Sequence, residues 1–106
     1  MPKYLLQASY RPEGVKGLLK EGGTARLDAV RNTVSKMGGQ IESYNYAFGE
    51  NDVYLVVEMP DNATMASVSL TIAATGAVRT NTVPLLTPEE VDQASKKHVS
   101  YQAPGK

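Results

Sequence analysis

Gln40-Ile41-Glu42-Ser43-Tyr44-Asn45-Tyr46-Ala47-Phe48-Gly49-Glu50-Asn51-Asp52-Val53-Tyr54-Leu55-Val56-Val57-Glu58 is the stretch on which the fold turns. Its two halves, 40–48 and 52–58, are rich in Tyr, Val and Ile, and Gly49-Glu50-Asn51 lies between them. Two β-prone runs joined by a short turn-forming segment read as an antiparallel hairpin.

Upstream, residues 3–10 form a further strand pattern closed by Arg11-Pro12. The segment 12–38 reads as helix in two pieces. Val15, Leu18 and Leu19 form a short apolar turn, and Gly22-Gly23 interrupts it, since glycine is a poor helix former. Thr24 is the expected N-cap of the second piece. Leu27, Val30, Val34 and Met37 then recur at spacings of three and four, the stripe of an amphipathic helix. Gly38-Gly39 ends it.

Downstream, Pro60-Asp61-Asn62 opens another helix, with Asp61 or Asn62 as cap, Met65, Val68, Ser69 and Ile72 along one line, and Gly76 at its close. A fourth strand spans 77–84, where Pro84 indicates a strand end or a sheet edge. Thr87-Pro88-Glu89-Glu90 is a capping box with proline at the first helical position, so a short helix is predicted from 88 to about 98. Residues 102–106 read as a loose tail. The order β-α-β-β-α-β plus a C-terminal helix predicts an α+β fold of ferredoxin-like type: a four-stranded antiparallel sheet with helices on one face.

With 106 residues, the chain fits a single domain, and a hydrophobic content of 42% is enough to fold it. Eleven basic residues balance eleven acidic ones, and Lys16, Lys20, Arg26 and Arg31 alternate with Glu13, Glu21 and Asp28. That pattern speaks against nucleic-acid binding, which needs a concentrated basic face. No cysteine is present, which rules out disulfides, thiolate metal sites and cysteine nucleophiles. The first residues enter a strand pattern rather than a signal-like apolar run, and no stretch approaches the ~20 apolar residues that span a bilayer. A cytoplasmic protein with no membrane partner is the expectation.

Strand alternation sorts the predicted sheet into two faces. Tyr4, Leu6, Ala8, Ile41, Ala47, Val53, Leu55, Val57, Val78 and Thr80 are assigned to the helices. The other face then combines Tyr44, Tyr46, Phe48 and Tyr54 with Gln7, Ser9, Arg79 and Asn81. Water does not favour so many rings on one surface, whereas a half-apolar interface suits tyrosine. Two such sheets packed face to face would form a dimeric α/β barrel able to hold a small molecule. Gln7, Ser9, Tyr44, Tyr46, Tyr54, Arg79 and Asn81 are therefore the predicted ligand-binding set of a homodimer or higher homo-oligomer.

The chain also resembles a known family. Tyr4-Leu5-Leu6-Gln7-Ala8-Ser9-Tyr10, Glu13-Gly14-Val15-Lys16-Gly17-Leu18, Gly22-Gly23-Thr24, Phe48-Gly49-Glu50-Asn51-Asp52-Val53-Tyr54, Pro60-Asp61-Asn62 and Leu86-Thr87-Pro88-Glu89-Glu90 together resemble the GYD domain family. The resemblance implies a ferredoxin-like, dimeric α/β-barrel protein and no single established activity. The family's Gly-x-Tyr-Asp motif is represented by Gly49-Glu50-Asn51-Asp52, with Asn51 where tyrosine is typical. A turn role for the motif would suit Asn51, because asparagine accepts turn conformations.

Asp52 matches that motif and is the one candidate catalytic residue, a general base that burial would make more basic. On that alternative the protein is a cofactor-independent enzyme in which Tyr54, Tyr46 and Arg79 orient a small anionic or aromatic substrate. Arg79 offers a bidentate fork for an anion, or a partner for Glu58. His98, the single histidine, falls near a helix C-terminus, where the dipole favours a cation. No metal site is expected, since one histidine without cysteine would need Glu58 or Asp52 close by. Gly22-Gly23-Thr24 lacks the spacing of a nucleotide-phosphate loop, and no cofactor is expected.

Overall fold

The structure, a computed structural model, describes residues 1–106. Its elements are β1 (Lys3–Tyr10), α1 (Pro12–Glu21), α2 (Gly23–Lys36), β2 (Gln40–Tyr46), β3 (Val53–Glu58), α3 (Asn62–Ala74), β4 (Val78–Leu85) and α4 (Pro88–Ser95). The four strands form one antiparallel sheet in the order β2-β3-β1-β4, consistent with a ferredoxin-like α+β arrangement. The fold class expected from the element order is thus met at the level of a single chain.

The core lies between the sheet and the helices α2 and α3. Tyr4, Leu6 and Ala8 of β1 and Val53, Leu55 and Val57 of β3 are all buried, and each set alternates along its strand as the pleat requires. Val34 covers them from α2, and Met65 and Val68 from α3; Val30 and Ile72 are packed at the margin. These belong to the stripes expected from helical spacing, except that Met37, the last of the α2 stripe, falls past the helix end and is exposed. Asp61 caps α3, its carboxylate accepting from the Thr64 N–H at 2.8 Å. The Thr87/Glu90 capping box of α4 is complete.

Local differences have local causes. Gly22, not Thr24, precedes α2, so Thr24 lies within its first turn and α2 has no side-chain cap. The helix ends at Lys36. Beyond it, Gly38 adopts φ +84, and Gly39 passes so close to β3 that an added Cβ would lie 2.3 Å from the Glu58 carbonyl oxygen. β4 is an edge strand, which accommodates Pro84. α4 stops at Ser95, leaving His98 beyond its end.

The largest departure is in β2. Ile41 pairs with Val57 and Ser43 with Val56, so one extra residue is inserted at Glu42. Such a bulge reverses the parity of every residue after it. Tyr44 therefore stands opposite Leu55, and Tyr46 opposite Val53, on the helix-covered side. Assigning both rings to the open face assumed an unbroken pleat and is corrected here.

Leu55 is 3% exposed at the centre of the core. Leu55→Ala should lower the free energy of unfolding by about 2–5 kcal/mol, measured by urea denaturation.

Candidate functional site

The open face divides into two zones. At the Lys3 end, Leu5 pairs with Val56 on one side and Val83 on the other, and Leu85 continues the aliphatic band. Lys3 borders it, bridging Glu42 at 3.1 Å and Glu58 at 3.9 Å. At the Tyr10 end, the same three strands bring together Gln7, Ser9, Tyr54, Arg79 and Asn81 around a pocket of about 540 Å³. Five of the seven residues expected to bind a ligand thus line one cavity.

Cross-strand register explains the grouping. Gln7 stands between Tyr54 and Asn81, and Ser9 opposite Arg79. The Asn81 amide donates to Gln7 Oε1 at 2.9 Å, and the Gln7 Nε2 donors have no partner in the chain. Asn51 accepts from the Ser9 hydroxyl at 3.0 Å and donates from Nδ2 to the Tyr54 oxygen at 3.3 Å. With its oxygen so engaged, Tyr54 has its own proton to donate. Arg79 is exposed and has no carboxylate within 4.0 Å; Glu58 is taken by Lys3 and by Gln40. The free donors are the Arg79 guanidinium, the Gln7 amide N–H and the Tyr54 O–H, and the free acceptors are Asn81 Oδ1 and the Glu50 carboxylate. Glu50 is the one acid in the wall.

Asn51 is the residue that spacing did not assign to the pocket. It lies in the loop between β2 and β3, as a turn role expects, but with no left-handed backbone, since no residue other than glycine has positive φ. Its amide joins Ser9 to Tyr54. The clue lay in the departure from the expected motif, which put a short bifunctional amide at this position.

Asp52 is not part of this pocket. Its carboxylate accepts from the Tyr10 N–H at 2.7 Å, its own N–H donates to the Ala8 carbonyl, and its carbonyl accepts from Ala47 N–H at 2.8 Å. It ties the hairpin neck to the end of β1 and lines a different, apolar groove beside Tyr46 and Phe48. The structure does not bring Asp52 into one site with Tyr54 and Arg79.

Tyr44 and Tyr46 belong instead to a tyrosine cluster on the helix side of the sheet, with Tyr44 half-buried and Tyr46 at its exposed margin. Their rings meet edge to face at 5.4 Å between centroids. The Tyr46 hydroxyl donates to the Gly23 carbonyl at 2.9 Å, and its ring approaches to 3.0 Å of where a Gly23 Cβ would stand. Gly23 is a seat for that ring. Burial pushes the Tyr44 phenol well above its ordinary 10.0, with the Tyr46 and Tyr10 hydroxyls adding to the shift. Burial likewise raises Tyr10, with Tyr46 contributing. Phe48, beyond the strand, is fully exposed.

The fold and this pocket define a small α+β domain with a polar cavity on an uncovered sheet face. No helix is long and apolar enough to cross a membrane. The chain belongs to the GYD domain family, whose model matches residues 4–95. No curated protein matches it.

Two outcomes follow from these contacts. Asp52→Ala removes a partly buried acceptor from Tyr10 N–H and should cost about 1–3 kcal/mol of stability by chemical denaturation. The fold favours the neutral form of Tyr44, so its contribution is complete below pH 10 and is lost as pH rises beyond that value. Stability should decline progressively as pH rises above about 10, and Tyr44→Phe should make that decline shallower.

Proposed function

We propose that the protein binds a small organic carboxylate in the polar pocket of the open sheet face, and that a second copy packed on the neighbouring aliphatic band closes the site. The observation that carries this reading is the unpaired Arg79 guanidinium among free donors of Gln7 and Tyr54, on a wall with one acid. A carboxylate matches the guanidinium fork, and the remaining donors fit its second oxygen or a hydroxyl substituent. A volume of about 540 Å³ suits a metabolite rather than a macromolecule. Leu5, Val56 and Val83 offer the hydrocarbon portion a dry neighbour, and they give a second copy an apolar surface to cover.

Asn51 sets the size of the cavity. A tyrosine at this position, as is typical of the family motif, would project its ring into the space that Asn51 leaves open. Its presence would replace two amide hydrogen bonds with a hydroxyl further out.

A thermal-shift screen of small carboxylates checks this reading, because a ligand that binds only the folded chain raises the unfolding midpoint. A hit is expected among them, and Arg79→Gln should weaken it about tenfold to hundredfold by calorimetric titration. Asn51→Tyr should remove it while preserving the fold. A full screen without a shift, or a hit indifferent to Arg79→Gln, contradicts the assignment.

A further inference from the structure

The segment after β4 has almost nothing of its own chain to rest on. Every residue from Leu86 to Gln102 is exposed, and Leu86, Val91, Val99 and Tyr101 are 67%, 50%, 82% and 80% exposed. α4 is eight residues long, well below the ~12–15 at which isolated helices become even marginal in water. Its capping box and Pro88 specify a helix, yet no packing against the body supports one.

The dimensions show the same imbalance. The radius of gyration is 16.9 Å, where a compact chain of this length has about 13 Å. The longest extent is 55 Å against 34 and 23 Å for the others. The chain exposes 7466 Å². A compact monomer of 11.4 kDa exposes about 5,800 Å². The excess, roughly 1,700 Å², is about twice what each partner contributes to a standard interface and falls in the range of obligate homodimers.

A receiving surface is present on the same molecule. Between α1 and the β2–β3 hairpin runs an apolar groove of about 320 Å³ lined by Tyr10, Val15, Leu18, Tyr46, Ala47 and Phe48. Phe48 stands wholly in solvent at its edge. α1, one wall of the groove, carries Lys20, which has no carboxylate within 4.0 Å. α4 carries Glu89, Glu90 and Asp92 and no basic residue.

We propose that residues 86–106 form a clasp that each copy lays on a second copy, with Leu86, Val91 and Val99 against the partner's groove at Phe48 and the acids of α4 beside its Lys20. The exchange is reciprocal, so one twofold axis covers both arms and both grooves. Closed symmetry of this kind disposes of the excess area without leaving an edge for further growth. The clasp rests on the exposed arm and groove, independently of ligand binding, since none of its residues lines the polar pocket.

Light scattering after size exclusion, on the full chain, tests it. The wild type should elute at twice 11.4 kDa. Val91→Asp combined with Val99→Asp, and separately Phe48→Ser, should each raise the dimer dissociation constant by about tenfold or more. Circular dichroism should show the monomer fold retained, because all three side chains are exposed. Because the chain has no cysteine, a mixture of the single variants Val99→Cys and Phe48→Cys, treated with a short bis-maleimide, should give the mixed cross-linked dimer. A monomeric wild type overturns the proposal, as does a dimer unaffected by the arm variants. Cross-linking of a Phe48→Cys/Val99→Cys chain only within itself would show an arm folded on its own body, and overturns it equally.

Discussion

The pairing of β1 with β3 is the constraint on which the molecule depends. Tyr4, Leu6 and Ala8 lie beside Val57, Leu55 and Val53 in register, and all six are buried beneath α2 and α3. A strand has a two-residue repeat, so committing one set to the core commits the alternate set to the other face. Gln7, Ser9 and Tyr54 are on the open side because Leu6, Ala8, Val53 and Leu55 are not. The polar pocket is in this sense the reverse side of the core. Asp52 secures the register at the hairpin end through three hydrogen bonds to β1 and Ala47. Its carboxylate accepts from the β1 backbone, a structural role that accounts for an aspartate at the strand entry.

The bulge at Glu42 divides the aromatic residues between two tasks. Without it, Tyr44 and Tyr46 would share the open face with Tyr54, and the uncovered surface would be ring-lined. With it, both turn to the helix side, where Tyr46 docks on Gly23 at the sheet edge. What remains on the open face is an aliphatic band and a cluster of donors. The case for a covered face consequently rests on Leu5, Val56, Val83 and Leu85 instead of on tyrosine. Asn51 completes the division, holding Ser9 and Tyr54 at the rim while leaving the cavity unfilled.

Much of this was legible beforehand, for identifiable reasons. Helix and strand periods differ, so the stripe through Val34 and the alternation in β1 and β3 could be read directly. The Thr87/Glu90 box and the Asp61 cap depend on neighbours three residues apart and were equally visible. Five of the pocket residues followed from alternation in β1, β3 and β4, where the pleat is unbroken. Tyr44 and Tyr46 were misplaced because a one-residue insertion has no distinctive signature in Glu42-Ser43. Thr24 was misplaced as a cap because Gly22 turns the chain one step earlier than side-chain preference suggests.

The amino-acid order alone determined the sequence of elements, the helix ends with local caps, the core face of the central strands and the exclusion of thiol chemistry. All of these arise from contacts within a few residues or from composition. Only the tertiary structure decided that Asp52 binds the β1 backbone, that Arg79 lacks an acid, that Asn51 bridges Ser9 and Tyr54, and that the C-terminal arm leaves its own body. Each of those depends on which distant strands become neighbours, and a single extra residue in a strand is enough to reverse it.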